Sequence, residues 1–205
     1  LNSPYEKTLA EIAMVHDFQL IGSPFWPVAE VLEDVIKSSL PLDKLVDDLA
    51  NEQVLTGDFL AVEDDYGTEQ VRTYRQDVAT AITKLHETVD HHPIYGRSVA
   101  VAQMDKILYM KRGMRELVKL LERDSTKAMP DFSILFTKDF PQVLMEGYSE
   151  DQEIVPPFCA YMGGDGRQSK GGFSLPDDIA DSLCLQEQVN YVERQFANFL
   201  SSQAE

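Results

Sequence analysis

Apolar residues recur at helical spacing along most of the chain. Ser3 and Glu6 form a Ser-x-x-Glu capping box with Pro4 at the first helical position, and Leu9, Ile12, Ala13, His16 and Leu20 then fall on one face until Gly22. Residues 23–40 repeat the pattern, with Val28, Val31, Leu32, Val35 and Ile36 as a stripe and Glu30, Glu33 and Asp34 opposite. Pro41 breaks that helix, and Leu42, Leu45, Val46 and Leu49 mark a short third one. Residues 68–90 carry Val71, Tyr74, Val78, Ile82, Leu85 and Val89 at the same period, ended by Pro93. Residues 97–124 read as the longest helix, with Val101, Met104, Leu108, Met114, Leu117 and Leu121 inward. Gly113 inside it costs about 1 kcal/mol relative to alanine. Residues 175–200 give a last helix through Ile179, Leu183, Val189, Val192, Phe196 and Leu200.

Other stretches break this period. Gly57, the apolar run from Phe59 to Val62 and the turn residues that follow admit a short strand or hairpin near residues 54–67. Pro130 and Pro141 punctuate two short aromatic-rich segments, and GGDGRQSKGG at 163–172 reads as a flexible surface connector. The expectation is a mainly α, single-domain, irregular bundle of six or seven helices spanning residues 1–205.

Charge changes the picture more than composition does. Eighteen Lys and Arg face 35 Asp and Glu, a net charge of -17, which argues against nucleic-acid partners and anionic membrane surfaces. No apolar run approaches the ~20 residues of a membrane span, and the start LNSPYEK does not read as a signal peptide. With Cys159 and Cys184 as reduced thiols, the expected location is the cytoplasm without membrane insertion. The charge is also uneven. Residues 97–127 hold eight basic and four acidic side chains, whereas residues 28–69 hold twelve acids against Lys37 and Lys44. Lys111, Arg115 and Lys119 recur every four residues and so align on one face of a helix.

HETVDHH, residues 86–92, is the densest cluster of chemistry-bearing side chains. On a helix His86 would neighbour Asp90, and Glu87 would neighbour His91, giving imidazoles and carboxylates of the kind that bind zinc. The His-Glu-x-x-x-His spacing is one residue too long for the zinc signature, and His91 and His92 suit the solvated last turn of a helix closed by Pro93. His86, Glu87, Asp90, His91 and His92 are therefore metal-ligand candidates only in an alternative reading, a metal-dependent enzyme or a metal- or pH-sensing domain. The glycine segment matches no phosphate-binding signature, since Lys170 follows Ser169 and precedes Gly171. No Gly-x-Ser-x-Gly elbow and no Glu-x-x-His pair occurs, and Cys159 would be a nucleophile only with a histidine brought beside it.

The acidic helices EVLEDVIKSSLPLDKLVDDLANE, together with the lack of a reaction centre, resemble in general character the acidic adaptor and chaperone proteins of bacterial type IV secretion systems. That resemblance implies assembly with other protein subunits and capture of effector-like polypeptides, and it assigns no residue a role. The reading is thus a non-enzymatic, cofactor-free interaction module, an apolar groove flanked by charge in which a partner segment is held. Candidate contacts are Phe25 and Trp26 in the SPFWP turn, with the Lys111, Arg115 and Lys119 stripe.

Overall fold

The computed structural model describes residues 3–18, 20–38, 43–54, 59–62, 64, 67–106, 109–124, 128–148, 153–181 and 184–203. The chain divides into two compact units, Leu1–Val78 and Ala79–Glu205.

The first unit is helical, as the periodicity predicts. Its helices are α1 (Pro4–Asp17), α2 (Trp26–Lys37), α3 (Asp43–Ala50) and the first half of α4 (Thr68–Thr88). The capping box forms: the Glu6 amide donates to Ser3 Oγ, and the Ser3 amide donates to Glu6 Oε2, each at 3.1 Å. Ile12, Val15, Leu32, Val35, Leu45, Phe59 and Val71 build the core, and Trp26 joins it at the start of α2. The strand or hairpin expected near residues 54–67 lies partly outside the described residues; those described there include turn and helical positions and none in a strand.

α2 departs from the expected two-faced pattern. Glu33 and Asp34 are both buried, whereas Ile36 is half exposed. A buried carboxylate needs a charged or hydrogen-bonding partner. Asp34 finds one in Arg75 of α4, whose Nε donates to Oδ2 at 2.6 Å.

The second unit overturns the mainly α expectation. Its centre is a six-stranded mixed sheet in the order β1-β2-β3-β4-β6-β5, so the chain has an α/β architecture rather than a helical bundle. The strands are β1 (Asp90–Ile94), β2 (Arg97–Met104), β3 (Phe132–Thr137), β4 (Gln142–Gly147), β5 (Asp165–Arg167) and β6 (Lys170–Ser174). β2 and β3 run parallel and the other pairs are antiparallel. The parallel pair is joined through α5 (Met110–Arg123), as parallel strands require a crossover.

The expected helix over 97–124 is therefore a strand followed by a helix. β2 is covered on both faces, so Val99, Ala100, Val101 and Ala102 are all buried and no polar alternation marks the strand. β3 is buried at every position for the same reason. On one face Val101, Phe132, Ile134, Val143, Met145 and Phe173 pack with α6 (Val155–Tyr161) and α8 (Leu185–Ser202). On the other, Gly113 of α5 lies directly against Met104 and Leu135, where a Cβ would fall 1.9 Å from Met104 Sδ. The glycine inside the predicted helix is there because the helix crosses the sheet closely.

Two tight turns set the hairpins. Tyr95 and Gly96 both have positive φ, 49° and 78°, as a two-residue turn joining β1 to β2 demands. Gln168, at φ 53°, occupies the corresponding turn between β5 and β6. The glycine-rich segment expected as a connector is thus paired sheet structure, followed by the short α7 (Asp177–Ala180).

Candidate functional site

α1 and α2 place the same spacing side by side. Leu9, Ile12, Ala13 and His16 on α1 face Ala29, Leu32, Glu33 and Ile36 on α2, an i, i+3, i+4, i+7 pattern on each helix. The two stripes, with Asp17, line a cleft of about 260 Å³ with a mostly apolar wall. Beyond it, the end of α1 and the turn that follows expose Met14, Phe18, Leu20 and Ile21.

Glu33 is the polar element of this wall. Its side chain is only 3% exposed, with Lys37 Nζ 2.6 Å from Oε1 and His16 Nε2 3.3 Å from Oε2. Burial opposes ionisation of Glu33, but hydrogen bonds from His16 and Lys37 outweigh it and hold the carboxyl below the usual carboxylate range. The sequence carried two traces of this site, a histidine on an apolar stripe and a Glu-Lys pair four residues apart. It gave no sign that they meet.

The predicted contact residues scatter. Trp26 is a core anchor, only 8% exposed, and Phe25 packs beside that core. Lys111, Arg115 and Lys119 lie on α5 as predicted, but Arg115 is buried while Lys111 and Lys119 are exposed, so the stripe is not one solvent-facing row. Lys119 donates to Glu116 at 2.7 Å.

The histidine cluster is split between two elements. His86 ends α4, while Asp90, His91 and His92 belong to edge strand β1, where Pro93 is tolerated at the margin of the sheet. His92 Nε2 lies 3.4 Å from Asp90 Oδ2, and His91 points to the other face because strand side chains alternate. Glu87 instead lines a second cleft of about 370 Å³ with Lys84, Thr88, Gln103, Asp105 and Lys138. There Asp105 accepts hydrogen bonds from Lys138 at 2.8 Å and Lys84 at 3.2 Å, which hold its carboxyl below the usual range. Among the described residues no three His, Cys, Asp or Glu side chains converge as a metal site would require.

The β5–β6 hairpin holds further chemistry. Glu146 of β4 is buried, and burial, only partly offset by Lys170 Nζ at 3.1 Å, raises its carboxyl. Cys159 lies against Gly171, and burial pushes its thiol up to about 12. Among the described residues no helix is long and apolar enough to cross a membrane.

No family model matches the chain and no curated protein matches its sequence. Among solved structures, a pGpG-specific phosphodiesterase from Vibrio cholerae is similar over 63% of this chain and 42% of its own, at 11% identity and a TM-score of 0.37. An exopolyphosphatase-related protein from Bacteroides fragilis is similar over 73% and 43%, with 11% identity and a TM-score of 0.37. A candidate family II inorganic pyrophosphatase from Methanococcus jannaschii is similar over 91% and 63%, again at 11% identity and 0.37. The chain thus spans 42% to 63% of the length of these structures. Likeness at this level transfers no function and no residue role.

Proposed function

We propose that this protein is a non-enzymatic interaction module, an adaptor-like subunit that holds a partner polypeptide in the cytoplasm. The cleft between α1 and α2 carries this reading: an apolar wall of about 260 Å³ with a half-exposed Ile36 at its mouth. Exposed apolar surface of this kind, edged by charge, favours burial against another chain. A photocrosslinking residue at position 36 tests the idea in native extract. A discrete crosslinked partner supports it, provided the same label at Leu60, another exposed apolar position, fails to capture that partner. Absence of any position-dependent product sinks it.

A further inference from the structure

The parallel strands β2 and β3 end side by side, and charged groups gather where they end. Asp105 follows the last residue of β2 and Lys138 the last residue of β3, and the Lys138 amide donates to the Met104 carbonyl at 3.0 Å, which ties the two ends together. Ligands of open α/β sheets bind in the crevice outside such carboxyl ends. Here the end of α4 walls the crevice and makes of it a cleft of about 370 Å³, within the size range of small-molecule sites. Asp105 anchors two ammonium groups, Lys138 through Oδ1 and Lys84 of α4 through Oδ2. One carboxylate shared by two lysines leaves a positive charge uncompensated, and each ammonium has three donors, of which Asp105 takes one. Both lysine side chains are at least half exposed, so the remaining donors are open to a ligand.

The same wall carries the opposite charge. Glu87 lies three residues after Lys84 and so beside it on α4, yet Lys84 turns to Asp105, and among the described residues Glu87 has no partner. Gln103, partly buried on β2, also lines the cleft, and its carboxamide makes no hydrogen bond among the described residues. We infer that this cleft binds a small polar α-amino acid, its carboxylate between Lys84 and Lys138, its ammonium at Glu87 and its side chain against Gln103. A plain anion would face repulsion from Glu87, and a plain amine would meet two lysines. A zwitterion, whose two charges sit on one carbon, complements the Lys84–Glu87 step at both ends. Every residue of this site belongs to the second unit, so it holds or fails independently of the interaction-module reading.

The test titrates the nitrogen-15-labelled full chain and follows its amide spectrum, which reads weak binding, locates it and shows that each variant is folded. The probes are L-serine, 3-hydroxypropanoate, which lacks the ammonium, ethanolamine, which lacks the carboxylate, and inorganic phosphate. L-Serine is expected to shift the Gln103, Asp105 and Lys138 amides saturably, with a midpoint at least about tenfold lower than that of any other probe. Glu87→Gln is expected to weaken L-serine about tenfold and leave 3-hydroxypropanoate unchanged or tighter. Lys138→Met is expected to weaken L-serine and 3-hydroxypropanoate alike and to spare ethanolamine. Both substitutions are at exposed positions and leave the core intact. Phosphate or 3-hydroxypropanoate binding as tightly as L-serine overturns the amino acid, since the site is then a simple anion site. No saturable shift from L-serine overturns it as well, as do shifts that neither substitution changes.

Discussion

Gly164→Ala separates a packed hairpin from a mobile connector. α6 ends in a Schellman-type turn: the Gly163 amide donates to the Ala160 carbonyl at 3.0 Å and the Gly164 amide to that of Cys159 at 2.8 Å. Gly163 supplies the left-handed residue, at φ 78°, with open space where a Cβ would stand. Gly164 has a different reason to be glycine. A Cβ there would fall 1.9 Å from the Gly172 carbonyl oxygen and 2.8 Å from Phe173 Cα, backbone atoms of β6 that cannot move without loosening its ladder to β4. Overpacking against side chains costs about 1–3 kcal/mol, and with backbone as the obstacle we expect about 3 kcal/mol or more for Gly164→Ala. Gly163→Ala should cost only the left-handed strain of a non-glycine residue, about 1–2 kcal/mol. Gly22→Ala, where a Cβ meets nothing, should stay within about 0.5 kcal/mol of the parent. Urea unfolding by far-UV circular dichroism gives the free energies, and hydrogen exchange of the β6 amides localises them. Trp26, the sole tryptophan, reports the first unit by fluorescence and identifies any change there. Gly164→Ala no more destabilising than Gly22→Ala would refute the packing and return residues 163–172 to a connector.

Trp26→Ala should destabilise the first unit by about 3–5 kcal/mol, read from its urea midpoint by circular dichroism, because it empties a core site rather than trimming a surface. Because the folded-state carboxyl of Glu33 is depressed, its stabilisation is complete above the ordinary carboxylate range and is lost as pH falls through and below that range. An acid titration of stability should therefore be flatter in Glu33→Gln. Glu146 has the opposite sign. Its raised carboxyl favours the folded state below the ordinary carboxylate range and costs stability once pH rises through the folded value. Glu146→Gln should consequently match or exceed the parent melting temperature at pH 7, by up to ~3 °C, and lose that advantage near pH 4.

The helices of the first unit were legible because their apolar residues recur at the 3.6-residue period, which survives in sequence even in α2, where the polar positions Glu33 and Asp34 are buried as well. The sheet was not. Arg97 to Met104 and Phe132 to Thr137 sit between helices on both sides, and a strand buried on both faces has no alternation to read. Val101 and Met104 are three residues apart, and Met114, Leu117 and Leu121 three and four apart, so each set reads locally as helical although the two fall on opposite faces of one continuous helix, a break in phase that itself contradicts the long helix. A second signal contradicted it too. Tyr95-Gly96 before Arg97 is a turn-forming pair ahead of the alternating run Val99-Ala100-Val101, and it marks the β1–β2 hairpin.

Charge was legible as an amount and illegible as a placement. Lys111, Arg115 and Lys119 are on one helix as expected, yet Arg115 falls at the margin of the buried positions Met114 and Leu117, where a long side chain is covered along its stem. The acids of α2 show the same limit from the other side. Glu33 and Asp34 read as a solvated face because two adjacent carboxylates rarely enter a core, and each is buried only because a cation distant in sequence or one turn away meets it. His16 completes this. On a stripe with Leu9, Ile12 and Ala13 an imidazole is an anomaly until Glu33 is placed 3.3 Å from it. The chemistry of the candidate groove therefore resides in a contact between two helices, and sequence periodicity, which reports each helix against solvent, carries no information about which polar residues the helices turn toward each other.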